Sequence, residues 1–291
     1  MKLYTYKENI DSNSKIGVSY EDGFLYPLNM FGINFSDMNE FILNITDSQL
    51  EILKNKPNSN EIAISDILCL APIPYPIQDI LCLGINYNEH HKEAGRFDKD
   101  AFGDRPNPIY FSKRVNQANY DGGIIPAYSS LVDSLDYEVE LGVIIGKDAF
   151  NVSKADAYKY IFGYTIINDI SARNLQTGHK QWYFGKSLDG FTPMGPCILT
   201  ADEVSYPPKL NIRCSVNGEL RQNSNTSALI TDIGDIIEQL SQGMTLKAGT
   251  IIATGTPAGV GMGMNPPCFL KSGDVVVCEI EKIGTLTNVV K

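Results

Sequence analysis

The chain has 291 residues, a formal net charge of −10 from 24 Lys and Arg against 34 Asp and Glu, and 43% hydrophobic residues. No apolar run approaches the roughly 20 residues of a membrane-spanning helix, and an acidic chain without a Lys/Arg-rich block is a poor match for nucleic acid or an anionic membrane surface. The expectation is a soluble protein of one large or two smaller domains, cytoplasmic because MKLYTYKENIDSNSK has no apolar core of the signal-peptide kind.

The first 70 residues alternate short strand-like pieces (KLYTY, IGVSY, FLYPL) with two helical ones around SDMNEFILN and TDSQLEILKNK. LAPIPYPIQDI follows, where Pro72, Pro74 and Pro76 fix φ and remove hydrogen-bond donors, so a boundary is expected there between a small α/β N-terminal domain (1–72) and a larger one (73–291). Beyond it strands dominate: ILCLGI, PIYFSK, DYEVELGVIIG, YIFGYTIIND, GPCILTA, NIRCSVNG, TIIATGT and DVVVCEIEKIGTLTNVV. Helices are expected at KADAYKYI, for a turn or two within NYNEHHKEAG, and at DIGDIIEQLSQGM, where Ile233, Ile236, Ile237 and Leu240 recur at helical spacing. Strands in excess of helices, without regular βαβ alternation, predict an α+β, β-rich protein whose mixed sheet is rolled or barrel-like.

Several familiar chemistries are missing. The six cysteines have no C-x-x-C spacing and mostly lie in apolar or β-rich runs, so they read as reduced buried thiols, with Cys268 in NPPCFL the exposed exception. TGTPAGVGMGM lacks the Lys-Ser/Thr ending of a phosphate loop and does not fit G-x-G-x-x-G. There is no G-x-S-x-G elbow and no H-E-x-x-H pair. With three histidines, two of them the adjacent His90 and His91, a bound metal should take oxygen ligands.

Acidic residues supply those oxygens. Glu138 and Glu140 stand two apart in DYEVELGVIIG, on one face of a strand and about 7 Å apart at Cα. Among Val139, Leu141, Val143 and Ile145 the pair either faces solvent or needs a cation, because buried like charges are costly. Asp169 ends the apolar strand IFGYTIIND, either as a helix cap before SARNLQ or as a third carboxylate. Three such groups would suit Mg²⁺ or Mn²⁺. His90 and Glu93, three apart in LGINYNEHHKEAGRF, share a helical face where the carboxylate could orient the imidazole as a base, though a surface pair has the same spacing. Gly84, Gly95 and Gly103 would let this segment move as a lid does, and Lys186 lies in a glycine-flanked loop.

Taken together, LGINYNEHHKE, DYEVELGVIIGK, GYTIINDISARNLQ, QWYFGKSLDGFTPMGP and IIATGTPAGVG, in this order and at these intervals, resemble the fumarylacetoacetate hydrolase family from about Leu70 to Lys291. The first 70 residues resemble the small N-terminal domain of many bacterial members. The resemblance implies that Glu138, Glu140 and Asp169 bind Mg²⁺ or Mn²⁺, that His90 and Glu93 form a catalytic dyad on a lid, and that Lys186 contacts substrate or a developing oxyanion. It further implies that Arg173, Gln176 and Thr256 face the substrate. The extra aspartate ligand of the animal hydrolase has no match here. FSKRVNQANYDGG departs from the usual FxKPPSSL type, with Arg114, Val115 and Asn116 in the Pro-Pro-Ser stretch, a departure that bears on substrate choice.

The function implied is hydrolysis of a C–C bond in a diketo acid of the acylpyruvate or fumarylpyruvate type, through a metal-stabilised enolate. The alternatives are a 2-oxo acid decarboxylase of the oxaloacetate type, a 2-hydroxyhepta-2,4-diene-1,7-dioate-type isomerase of aromatic catabolism, or a catalytically silent ligand-binding member. The resemblance also implies a homodimer.

Overall fold

The strand Val139–Ile145 is buried at all seven positions, and the architecture follows from covering both of its faces. In the computed structural model, which describes residues 1–21, 23–58, 61–97 and 107–291, this strand pairs antiparallel with Ile161–Asn168 on one side and with Ile251–Ala253 on the other. The sheet built around it runs Ile62–Ala63, Phe24–Pro27, Lys15–Ser19, Lys2–Lys7, Met194–Thr200, Ile161–Asn168, Val139–Ile145, Ile251–Ala253, Ile80–Gly84, Ile109–Lys113, with Leu68–Cys69 pairing Lys2–Lys7 off this path. It is mixed, since Ile251–Ala253 and Ile80–Gly84 run parallel. A second sheet runs Glu219–Asn225, Asn211–Val216, Val275–Ile280, Gly284–Val290, Ile124–Ile125. Among the described residues neither sheet closes into a barrel, and the fold is an α+β arrangement of mixed sheets with a minority of helices.

Strand periodicity divides the central strand between two cores. Val139, Leu141, Val143 and Ile145 pack with Ile212, Cys214, Val276, Cys278 and Leu286 of the second sheet. Ile144, on the opposite face, packs with Leu3, Val18, Met38 and Phe41 from the N-terminal segment. Glu138 and Glu140 share the parity of Ile144, so the carboxylates point away from the sandwich core.

The N-terminal segment extends this sheet directly: Leu3 stands opposite Ile198 in an antiparallel pair. Its helices Met38–Asn44 and Asp47–Leu53 start where Asp37 and Thr46 cap them, the second with a reciprocal Thr46–Gln49 capping box. Phe41 packs edge-on against Phe162, with ring centroids 6.0 Å apart.

Two local expectations change. The segment Lys154–Tyr160 is a 3₁₀ helix, tightened by bonds such as Asp156 N–H to Ser153 O at 3.0 Å. The turn or two expected near His90 is a ten-residue helix, Asn88–Phe97, while Gly103 lies outside the described residues. All six cysteines are free thiols, with Cys268 exposed. No helix among the described residues is long and apolar enough to cross a membrane.

Since Leu3 is fully buried in the core shared with Met194 and Ile198, Leu3→Ala should cost about 2–5 kcal/mol. Urea denaturation followed by both circular dichroism and tryptophan fluorescence should shift as one transition. Separate transitions would show that the N-terminal segment unfolds on its own.

Candidate active site

The central strand and its neighbour deliver three carboxylates to one place. Glu138, Glu140 and Asp169 are all buried, and a set of their ligand oxygens lies within 4.8 Å of one another. Backbone pairing sets this geometry. Asp169 N–H donates to Glu138 O at 2.8 Å, and the Asn168 side chain accepts from Glu138 N–H at 3.0 Å. Asp169 therefore does not cap a helix; the following helix, Arg173–Gly178, has Ala172 at its N-cap.

Three buried cations surround these acids. Lys186 Nζ lies 2.7 Å from Glu138 Oε2 and 2.5 Å from Asp169 Oδ2. Lys113 Nζ takes the other Asp169 oxygen at 2.6 Å and donates to Ile170 O at 3.0 Å. Arg173 spans Glu138, 2.7 Å from Nη1, and Asp136, 2.9 Å from Nε. Lys186 reaches the carboxylates because its short helix, Tyr183–Lys186, lies against Arg173–Gly178 at Gly185, where a Cβ would stand 2.5 Å from Gln176 N.

The cluster holds four carboxylates, Asp136, Glu138, Glu140 and Asp169, against the three cations Lys113, Arg173 and Lys186, leaving one negative charge in excess. The excess falls on Glu140, which accepts a bond from Gly255 N–H at 2.7 Å and, among the described residues, has no ion-pair partner. Burial, then the neighbouring Asp169 and Glu138 charges, push its carboxyl well above the ordinary range. Glu138 goes the other way: burial would raise it, but Lys186, Arg173 and His90 together hold it at about 2. The lysines also diverge. Burial lowers Lys113, which has one carboxylate partner, whereas Lys186, between Asp169 and Glu138, is raised despite its burial. An all-carboxylate donor set with an uncompensated charge fits a hard divalent cation such as Mg²⁺ or Mn²⁺, with Glu138, Glu140 and Asp169 as its holders.

The helix Asn88–Phe97 covers this cluster. His90 Nδ1 is 3.3 Å from Glu93 Oε2, and both side chains are buried. Glu93 is held in turn by Gly259 N–H, 3.1 Å from each carboxylate oxygen. Gly263 makes room, since a Cβ there would stand 1.9 Å from Glu93 Cδ. Ala94, Trp182, Val260 and Met262 form a small apolar cluster that seats the helix on this glycine-rich loop. The run Thr254–Met264 thus supports the helix through backbone donors and close approach.

His90, Glu138, Glu140, Arg173, Gln176, Lys186 and Thr256 line one cavity, while Glu93 and Asp169 adjoin it through His90 and Lys186. All nine candidate residues are thus gathered in one buried region. Thr256 Oγ1 donates to Val139 O at 2.9 Å and accepts from Gln222 Nε2 at 2.7 Å, so it ties the cavity wall to the central strand. Sequence reasoning passed over Lys113 and Asp136. Lys113 is a charged residue ending the strand IYFSK, and Asp136 immediately precedes Tyr137-Glu138; Asp136 accepts from Gly261 N–H at 2.7 Å and Met262 N–H at 2.9 Å while holding Arg173. The departing segment at Arg114–Asn116 ties to the loop after Lys186, with Arg114 N–H on Ser187 Oγ at 3.0 Å and Asn116 on Asp189 at 3.0 Å.

Comparison with known proteins agrees with this architecture. Residues 79–291 match the family model described as fumarylacetoacetate (FAA) hydrolase C-terminal. The chain is 46% identical over 245 residues to an oxaloacetate tautomerase of Bacillus subtilis (strain 168), covering 82% of this chain and 80% of that protein. A solved fumarylacetoacetate hydrolase from the psychrophile Exiguobacterium antarcticum superposes with a TM-score of 0.84 at 37% identity, covering 100% of this chain and 99% of the other. A maleylpyruvate hydrolase from Sphingobium sp. SYK-6, solved with manganese(II) and pyruvate, superposes with a TM-score of 0.78 at 28% identity, covering 100% and 98%. Matched over most of its length by the family model and by relatives well above 30% identity, the chain belongs to the fumarylacetoacetate hydrolase family.

Proposed function

We propose that this chain is a divalent-metal-dependent enzyme that interconverts the keto and enol forms of a small 2-oxo acid of the oxaloacetate type. The observation that carries the reading is the carboxylate cluster, one charge short of balance, facing a buried His–Glu pair across one cavity. The substrate class draws on the Bacillus relative, whose 46% identity outweighs the 28% shared with the maleylpyruvate hydrolase.

Held by Glu138, Glu140 and Asp169, Mg²⁺ or Mn²⁺ would supply a Lewis acid beside the adjacent carboxylate and carbonyl oxygens of a 2-oxo acid. The protein's own groups manage the protons. Glu93 accepts from His90 Nδ1–H, which leaves Nε2 to take a proton from the substrate carbon next to the carbonyl and to return it. Lys186, kept protonated by Asp169 and Glu138, presents positive charge where the substrate oxygen becomes negative. Gln176, its oxygen engaged by Arg173 at 2.9 Å, offers its N–H groups to a substrate carboxylate, and Thr256 fixes the opposite wall.

The second reading is hydrolysis of an acylpyruvate, in which His90 deprotonates a water that attacks the distal carbonyl. It is favoured by the likeness to a maleylpyruvate hydrolase solved with manganese(II) and pyruvate.

The two readings separate in one assay series with Mg²⁺ or Mn²⁺ supplied. On enol-oxaloacetate, the enol absorbance should decay faster than without enzyme, and CO₂ release should not exceed that of the enzyme-free, metal-containing control. Cleavage of acetylpyruvate to acetate and pyruvate would establish the second reading instead, and inactivity on both would sink the pair. His90→Ala should lower kcat by about 10²- to 10⁴-fold while Mn²⁺ binding, followed by electron paramagnetic resonance, persists.

Glu140→Gln tests the metal assignment without substrate. A carboxyl whose folded pKa is raised destabilises the fold increasingly as pH climbs from its unfolded value towards its folded one. At pH 7 the glutamine variant of the metal-stripped protein should therefore be the more stable, with a higher Tm and a gain that shrinks as pH falls towards the ordinary carboxyl range. The same variant should lose the rise in Tm that Mn²⁺ gives the parent protein, and an undiminished rise would remove Glu140 from the ligand set.

A further inference from the structure

We propose that Asn86 is a positioning residue that fixes His90 relative to the carboxylate cluster, an inference that rests on the reading of His90 as the proton carrier. Asn86 is 1% exposed and lies between the strand Ile80–Gly84 and the helix Asn88–Phe97. Its side-chain amide is held on both sides: Nδ2 donates to Thr231 O at 2.9 Å and to Thr254 O at 2.8 Å, while Oδ1 accepts from Thr231 N–H at 2.7 Å. Its backbone carbonyl accepts from Ile230 N–H at 2.9 Å. One side chain thus joins the root of the His90 helix to the segment leading into the helix Ile233–Ser241 and to the end of the strand Ile251–Ala253.

The link continues to the carboxylates. Gly255, at φ +93°, passes so close beneath Asn86 that a Cβ would stand 2.7 Å from Asn86 Cβ, and its N–H is the donor to Glu140 Oε2. On the other side, Tyr87 O accepts from His91 N–H at 2.9 Å in the first turn of the helix carrying His90. The chain therefore runs from Glu140, on the cavity wall, through Gly255 and Thr254 to Asn86 and onto the helix.

Backbone strain at the same point agrees. Ile85 has φ +59°, a left-handed conformation that a β-branched residue adopts only when its surroundings over-determine it. The bonds of Asn86 supply that constraint. Ile85 itself lines the site cavity beside His90 and also an outer pocket with Asn88, Thr231 and Asp235. Releasing Asn86 would let Ile85 relax and the N-terminal end of the helix swing, while Glu93 and Gly259 still hold its middle.

The test uses Asn86→Asp, which keeps the acceptor for Thr231 N–H but turns an oxygen towards two carbonyls, and Asn86→Ala in case the aspartate prevents folding. In the Mn²⁺-loaded protein, amide hydrogen exchange across Asn88–Phe97 should accelerate while that of Val139–Ile145 stays unchanged. With the substrate that the wild-type protein turns over, kcat should fall about tenfold or more, with KM and the Mn²⁺ half-saturation within about twofold. In a His90→Ala background the same change should cost less than about twofold, since a positioning residue has nothing left to position. Equal losses in both backgrounds, unchanged exchange in the helix, or a lower Tm with kcat intact would overturn the proposal. Were the wild-type protein to turn over neither oxaloacetate nor acetylpyruvate, the proposed reaction would fail, and the exchange measurement would still decide whether Asn86 tethers the helix.

Discussion

A buried electrostatic cluster, one charge out of balance, is the constraint on which the rest of this structure depends. Four acids and three bases are linked by successive contacts into one cluster almost out of contact with water. Desolvating so many ionised groups is costly unless each is paired and hydrogen-bonded. Among the described residues six of the seven are paired with one another and Glu140 is the remainder, which is why the cluster reads as a place for a cation.

The two sheets make this cluster possible by dividing labour along a single strand. Odd-numbered residues of Val139–Ile145 build the sandwich core, and the other parity turns Glu138 and Glu140 towards the helix Asn88–Phe97. The N-terminal segment covers the same face further along, around Ile144. A one-residue slip in the pairing with Ile161–Asn168 would turn both glutamates into the apolar sandwich, so the pairing register is also the register of the chemistry.

The helix above the cluster is attached by specific groups as well as by apolar burial. Among the described residues its apolar support is the cluster of Ala94, Trp182, Val260 and Met262, with Ile85, Ile109, Phe111 and Phe269 packed against it. Glu93 fixes its middle through Gly259, and Asn86 fixes its root through Thr231 and Thr254.

Much of this could be read from the residues alone. Period-two alternation set Glu138 and Glu140 on one face, the capping signals at Asp37 and Thr46 located two helices, and the ordered blocks around His90, Glu138, Asp169, Lys186 and Thr256 carried the family. Spacing could not decide whether Glu138 and Glu140 face solvent or a cation, whether Asp169 caps a helix, or whether Lys186 is a surface residue, because each outcome has the same local pattern. Lys113 and Asp136 were missed for the same reason: their partners Asp169 and Arg173 lie 56 and 37 positions away. Local sequence determines periodicity, caps and turns, whereas burial and charge pairing depend on which distant segments the sheets bring together, and only the tertiary structure decided those.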